Sequence, residues 1–471
     1  MAEERIHRTW LHSDRTVPAR FVRPVLRFTH IEAAGGAVLL IAAVIALIWA
    51  NAPFGETYEE FWETHLEIAV GSFHFEHTLR EIVNDGMMAV FFFVVGLEIK
   101  RELVLGELRD PKRAALPVMA ALGGMVAPAI LYLIIVAGEP GASRGWGVPM
   151  ATDIAFSVGV VALLGRRVPV GAKLFLLTLA IADDIGAITV IAIFYTDTLY
   201  FGWLAGALGG LAVTWIAGRV GIRSLLFYGV IALGTWYALL ESGVHATLAG
   251  VALGFLTPAR AWYSDEQYRE KTSRLLDRFA FDAAAPRAAE RIDQDALDVA
   301  AVAKESVAPL SRLEIALHPW SSFVVVPIFS LANAGVRFAG INLIDAITHP
   351  VALGVAVGLF VGKITGVTAF AWLAVRMGWG KLPRLTTWTH IVGLAALAGV
   401  GFTVAIFVSG LAFDDPTLGD RAKTGIFLGS LVAGVVGYVL LRMTKHLPAG
   451  EMPPRRARSE DAEPAQAGGS D

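Results

Sequence analysis

The chain has 471 residues, 55% of them hydrophobic and 17% charged, against roughly 25% charged in a soluble globular domain. That composition, with a mean hydropathy of +0.59, excludes an ordinary water-soluble fold. The net charge of −3, without a basic stripe outside short loops, gives no footprint for nucleic acid, and the absence of cysteine removes disulfides, thiolate metal sites and cysteine nucleophiles. Residues 1–30 are basic, with Arg5, Arg8, Arg15, Arg20, Arg23 and Arg27. They lack the apolar run and cleavage site of a signal peptide and read as an arm. About twelve apolar spans follow, many near the ~20 residues that a helix needs to cross a hydrocarbon core. About eight form a first membrane half (31–257), at 31–50, 80–99, 114–136, 146–164, 172–195, 199–218, 224–241 and 244–257. Residues 66–78 (LEIAVGSFHFEHT) alternate polar and apolar around a Gly-Ser turn and predict a small β-hairpin. The charged, Ala-rich stretch 258–312 predicts a partly helical linker. About four more spans, 315–335, 350–375, 386–412 and 422–441, form a second half (313–446), and the Pro-, Arg- and Glu-rich tail 447–471 reads as disordered. The expected fold is an all-α membrane protein with one hairpin, its 48 glycines favouring close helix packing.

Lysines and arginines fall on every second loop. After the arm come Lys100, Arg101, Arg109, Lys112 and Arg113, then Arg166, Arg167 and Lys173, then Arg219 and Arg223. The linker, the set Arg376, Lys381 and Arg384, and finally Arg442 and Lys445 continue the series, whereas 51–79 has no Lys or Arg and several glutamates. Positive charge concentrates on the cytoplasmic side. Both termini and the linker are therefore expected in the cytoplasm, with the hairpin outside.

The chemistry lies in charges inside the spans. Ionised groups there cost several kcal/mol, so they need partners and commonly mark a function. Asp153 lies in GVPMATDIAFSVG, Asp183 and Asp184 in LTLAIADDIGAITVIA, and Lys363 in VGLFVGKITGVTAF. Counting inward from the flanking residues at ~1.5 Å per residue puts all four near mid-membrane. An inert ion pair between Lys363 and one aspartate is the plainer reading, but it leaves two acids unexplained. Adjacent helical residues point about 100° apart, so one aspartate can pair with Lys363 while the other faces a water-filled cavity. Such a carboxylate holds a hard cation such as Na⁺ or a proton, not both, and that competition is a simple exchange mechanism. Two spans also carry breaks at this depth: Pro149, Thr152 and Asp153 in one, and Gly399-Val400-Gly401-Phe402-Thr403 in another. Either alone reads equally as close packing; together, in two halves of the chain, they point to an ion site between half-helices.

These residues stand in long, unusual strings: NDGMMAVFFFVVGLEIKREL (84–103), ATDIAFSVG (151–159), AIADDIGAI (180–188), SGVHATLAGVALGF (242–255), LHPWSSFVVVPIFSLANAGV (317–336) and GVGFTVAIFVSGLAF (399–413). With them the chain resembles the NhaA-type sodium/proton antiporters over roughly residues 25–445. The resemblance implies inverted repeats with two broken helices crossing at mid-membrane. It implies that Asp184 is the main ion-binding carboxylate, Asp183 its protonatable neighbour and Lys363 the basic partner of Asp183. Thr152, Asp153, Gly399, Gly401 and Thr403 would form the crossing, where Asp153 offsets positive half-helix ends. Asp85 matches an auxiliary intramembrane acid, with Asn84 beside it in a structural role. Glu98, Lys100, Arg101, Glu102, Glu314 and His318 resemble a cytoplasmic cluster that adjusts activity to pH. His245 matches a further histidine on the external side, whose alternative reading is an interfacial residue with no sensing role. Ile315 departs from the pattern, standing where some members carry another histidine.

The implied activity is electrogenic, pH-regulated export of Na⁺ or Li⁺ for H⁺ uptake, two protons per cation, in a bacterial inner membrane. No cofactor is implied; the expected partners are the ions, membrane lipid and a second copy joined through hairpin 66–78. An intramembrane aspartyl protease also uses two membrane acids, but the chain lacks a Gly-x-Gly-Asp string and that chemistry gives Lys363 no role. A passive cation channel is built from rings of equivalent ligands, unlike this single asymmetric cluster.

Overall fold

A long apolar span must satisfy its backbone internally once lipid surrounds it, which leaves the helix as the solution for segments of this length. The computed structural model describes residues 32–71, 73–196, 199–282, 288–337 and 343–444. The expected arm 1–30 and tail 447–471 lie outside them. In chain order the described residues give α1 (Glu32–Asn51), α2 (Glu56–Trp62), β1 (His65–Val70) and β2 (Phe73–Thr78). Next come α3 (Leu79–Val104), α4 (Pro111–Ile135), a 3₁₀ stretch (Ala142–Met150) leading into α5 (Ile154–Leu164), and α6 (Val170–Phe194). Then follow α7 (Phe201–Val220), α8 (Leu225–Leu240), α9 (Thr247–Leu256), α10 (Asp265–Asp282) and α11 (Ala288–Glu305). The last are α12 (Pro309–Asn333), α13 (Leu343–Thr348), α14 (Pro350–Arg376), α15 (Trp388–Ala398), α16 (Phe402–Ala412) and α17 (Pro416–Arg442).

Among these, 9 segments are long and apolar enough to span a membrane, and the pair α15–α16, bent by 45° at its break, brings the number to 10. The expected spans at 224–241 and 244–257 are present as α8 and α9, but with 16 and 10 residues they are shorter than a full crossing. Residues 241–246 (ESGVHA), with Gly243 at φ +82°, end one helix and delay the next. The chain is a multi-pass membrane protein, and apolar side chains left on its outer surface, such as Ile48 at 65% and Leu226 at 79% exposure, are what a lipid-facing wall requires.

The hairpin is antiparallel, with His65 opposite Thr78 and Val70 opposite Phe73. The chain turns after Val70, where Gly71 adopts φ +62°, a conformation that tight hairpin turns demand and glycine supplies without a steric cost; Ser72 lies outside the described residues. Thr78 then caps the start of α3 through a bond from the Glu81 N–H at 3.2 Å.

Two features position the centre of the bundle. First, α4 and α14 approach so closely that a Cβ on Gly123 would sit 2.2 Å from the Gly366 carbonyl oxygen. This is small-residue packing of the kind membrane helices use in place of a hydrophobic driving force. Second, three spans contain a π-helical turn: Ile82–Met87 in α3, Ser321–Val325 in α12 and Gly358–Gly362 in α14. Such turns favour functional sites, and here one contains Asp85 while another ends immediately before Lys363.

The linker contains two helices, α10 and α11, packed on each other. Its ends meet: Leu310 N–H donates to Pro258 O at 3.1 Å and Trp262 N–H to Glu305 O at 2.9 Å. Glu305 also pairs with Arg223 of the α7–α8 turn, whose guanidinium lies over the Trp262 ring.

Candidate functional site

The site is assembled from two interruptions. Before α5 the chain passes through an extended segment at Ala151–Asp153; between α15 and α16 it passes through Gly399–Gly401. The two cross, with Asp153 N–H donating to Val400 O at 2.6 Å. A Cβ on Gly401 would lie 2.7 Å from Ala151 O, and one on Gly399 2.2 Å from Leu359 O, so the glycines are there to let backbones touch. Thr152 Oγ lies 2.8 Å from Ala398 O at the end of α15, and Ser157 Oγ donates to Leu397 O at 2.8 Å.

An interruption in a helix frees four N–H groups at one side and four carbonyls at the other. Asp153 satisfies two sets of donors at once. Its Oδ1 accepts from Phe156 N–H at 3.1 Å, capping α5, while its Oδ2 accepts from Thr403 N–H at 3.2 Å and from Thr403 Oγ1 at 2.5 Å. The cap position of α16 is Gly401, which has no side chain to offer. Its cap therefore comes from the other broken helix, and one carboxylate faces two positive helix ends. Gly401 N–H itself reaches Ser430 Oγ at 3.3 Å.

Beside the crossing, α6 presents Asp183 and Asp184, and α14 presents Lys363. Lys363 and Asp183 are both 0% exposed and ion-paired through Nζ and Oδ2. Thr152 Oγ is shared: it lies 2.6 Å from Asp183 Oδ2 and accepts from Lys363 Nζ at 3.0 Å. A hydroxyl has one proton, so Asp183 and the Ala398 carbonyl compete for it. Gly124 of α4 packs against the same helix as Lys363: a Cβ there would sit 2.8 Å from Val367 Cγ2 and, in ordinary contact, 3.6 Å from Nζ. Asp183 Oδ1 is buried and has no hydrogen-bond partner among the described residues. Asp184, one residue on, is also buried and makes no hydrogen bond among them. The arrangement thus has one acid neutralised by a base, one acid left open, and a third committed to helix ends.

The structure gathers most of the suggested pH-responsive residues at one end of α3 and α12. Arg101 pairs with Glu314, and its second nitrogen lies 3.7 Å from Glu102. His318 Nε2 is 3.9 Å from Glu98 Oε1. Lys100 is the exception. It turns away from these acids and donates to Phe255 O at 2.6 Å and Thr257 O at 2.5 Å, capping the end of α9. A lysine at a helix C-terminus neutralises carbonyls that would otherwise lack partners. Ile315 is 73% exposed, pointing away from the cluster.

His245 lies at the other end of the bundle, with Nε2 2.5 Å from Tyr195 O. Tyr195 in turn donates its hydroxyl to Arg144 O at 2.6 Å and accepts from Gly147 N–H at 3.2 Å, tying α6 to the 3₁₀ stretch. Asp85 faces a pocket lined by Phe75, His77, Glu81 and Trp236, apart from the three central acids. Asn84 and Asn333 exchange side-chain amide bonds, the better at 2.8 Å, a fastening between α3 and α12.

Ser157, Tyr195 and Ser430 were not singled out by sequence. Ser157 stands inside the string ATDIAFSVG, but nothing local distinguishes a serine that bonds a carbonyl 240 residues away.

The Na⁺/H⁺ antiporter 1 family matches residues 26–441 of the chain. The chain belongs to this family. Among curated relatives, the Na⁺/H⁺ antiporter NhaA of Rhodopirellula baltica is 46% identical over 428 residues, covering 90% of this chain and 95% of the relative. NhaA 2 of Acidiphilium cryptum is 46% identical over 418 residues, 88% of this chain and 91% of the relative. NhaA of Syntrophobacter fumaroxidans is 43% identical over 431 residues, 90% of each. The family's relatives are named as transporters, not enzymes, so the buried acids belong to a transport protein rather than a protease.

Proposed function

We propose that this chain exports Na⁺, or Li⁺, in exchange for protons by alternating access at Asp183 and Asp184. The observation that carries the reading is the unequal treatment of these neighbours: Asp183 is held by Lys363 and Thr152, while Asp184 is buried beside them without a hydrogen bond among the described residues. A buried carboxylate left open is costly unless something binds it, and Na⁺ or H⁺ binds it in turn. Thr152 supplies a hydroxyl, and Asp153 holds the half-helices in place so that the crossing can move as a unit. Asp85 is an auxiliary acid outside this centre. Glu98, Arg101, Glu102, Glu314 and His318 form the cytoplasmic cluster that adjusts activity to pH; Lys100 supports it from the end of α9, and His245 acts from the external side.

If both aspartates take up protons when sodium leaves, more positive charge moves as H⁺ than returns as Na⁺. A proton lost from Lys363 in place of Asp183 gives the same net charge. Exchange is then electrogenic. At about 2.3 kcal/mol per charge per 100 mV, an inside-negative potential drives Na⁺ outward. The alternation of basic loops supports both termini in the cytoplasm and a bacterial inner membrane as the location. The exposed edges of the hairpin support pairing with a second copy. Lipid surrounds the remainder.

The test is purified protein in proteoliposomes, with internal pH recorded on addition of Na⁺, Li⁺ or K⁺ while K⁺ and valinomycin set the potential. Proton movement driven by Na⁺ and scaling with potential is expected. Uptake without countermoving protons would indicate a channel, and exchange indifferent to the potential would mean one proton per cation.

A further inference from the structure

A buried histidine outside the site, His390 in the first turn of α15, is engaged at both ring nitrogens and is only 5% exposed. Its Nδ1 lies 3.2 Å from Thr387 N–H and 2.8 Å from Thr387 Oγ1. Its Nε2 lies 3.3 Å from the carbonyl of Arg167, in the turn that follows α5. The backbone partners choose the tautomer: Nδ1 must accept from an N–H, and Nε2 must donate to a carbonyl. Arg167 is tied further to the end of α17, through its guanidinium to Arg442 O and through its carbonyl to Thr444 Oγ1 at 3.4 Å.

The residues His390 joins are the outer ends of the two interrupted helices. α15 begins here and ends at Ala398, which faces Thr152; α5 ends here and begins at Asp153. The crossing at mid-membrane is therefore held at its centre by Asp153 and at one end by this imidazole. We propose that His390 is a positioning residue that clasps the two broken helices together, and that it holds only as the neutral ring. Protonation would place a hydrogen on Nδ1. Thr387 Oγ1 could still accept it, but Thr387 N–H would be orphaned and a positive charge would enter the first turn of α15, where the helix already presents positive N–H groups. The surroundings oppose that charge too. α15 packs against α5, α6, α14 and α17, and the charged residues at this end of those elements, Arg167, Lys173, Arg376, Lys381, Arg384 and Arg442, are all basic. The clasp is present at alkaline pH and is lost when acidification protonates the ring.

The transport part of this inference rests on the proposed exchange activity; the structural part does not. Thr387-x-x-His390 has the spacing of a capping box, whose third position is ordinarily Glu or Gln. His390→Gln can thus accept and donate as the neutral ring does, without titrating. In proteoliposomes, H390Q should exchange as the parent does at alkaline pH, with its acid limb displaced about one pH unit lower. H390A should be slower at every pH with no displacement of that kind. In detergent, the fall in Tm between alkaline and acidic buffer should be smaller for H390Q than for the parent. Should H390Q not accumulate, hydrogen exchange in the parent peptide covering 382–392, corrected for intrinsic rate, should show protection lost on acidification. Superimposable pH profiles and Tm slopes for parent and H390Q, or protection that is constant with pH, would overturn the clasp. A parent that exchanges at no pH would strike the transport reading alone, because the Tm and hydrogen-exchange results stand without it.

Discussion

Charges meet differently at the crossing and at the end of α3. At the crossing, Lys363 and Asp183 are both wholly buried and directly paired, and a single threonine hydroxyl bonds both. At the end of α3, Arg101 and Glu314 are 37% and 10% exposed, and His318 and Glu98 are 57% and 20% exposed with 3.9 Å between them. The first region has taken its ions out of water and depends on each contact. The second shares its charges among several groups and with solvent. On the proposed reading, the same kind of pair is indispensable in one place and adjustable in the other. That is the division expected between a site that binds and a cluster that modulates.

Three experiments probe this contrast, in descending order of effect. Asp184→Asn should abolish sodium-driven proton movement in proteoliposomes while the protein still folds, since an amide neither ionises nor titrates. Exchange within a few-fold of the parent would remove Asp184 from the centre of the site. Lys363→Ala should destabilise by about 3–5 kcal/mol, because it leaves a buried carboxylate without its base. Adding Asp183→Asn should recover part of that loss, measured as Tm in detergent. A double variant no more stable than the single would mean that the pair does not act as one unit. Glu314→Gln should change stability by at most about 1 kcal/mol, because Arg101 keeps Glu102 and water as partners. Its effect should instead appear as a moved pH profile of exchange. A large fall in Tm would place Arg101–Glu314 with the buried pair and erase the contrast.

How far each region could be read from the sequence follows from the same physics. Charges in an apolar span are conspicuous, so Asp153, Asp183, Asp184 and Lys363 announced themselves. Counting along the helix also put them at a common depth, and Gly71-Ser72 gave the hairpin to within a residue. Contacts between a side chain and a distant backbone left no such trace. Lys100 belongs by sequence with Glu98 and Glu102, yet it turns to carbonyls 155 and 157 residues away, because a helix end competes for a cation as well as a carboxylate does. The π-helical turns before Met88, Val326 and Lys363 were also invisible, since a span apolar on nearly every side has no pattern for an extra residue to shift. The meeting of Pro258 with Leu310 across the linker was hidden for a related reason: composition reports that a segment is polar, not where its ends lie.

The separation of Lys363 from Asp183 has a consequence for how the protein is made. The lysine follows the aspartate by 180 residues, and at synthesis rates of ~5–20 residues per second it leaves the ribosome about 10–40 s later. Thr152, 31 residues before Asp183, is already in place; the base is not. An ionised carboxylate alone at the bilayer centre costs several kcal/mol, and until the lysine arrives the first half has no base to offset that cost. Closure of the ion pair is then a late event in biogenesis. A nascent chain arrested after Leu256 has neither Lys363 nor the second broken helix and should bind sodium poorly, whereas one arrested beyond the end of α17 has both.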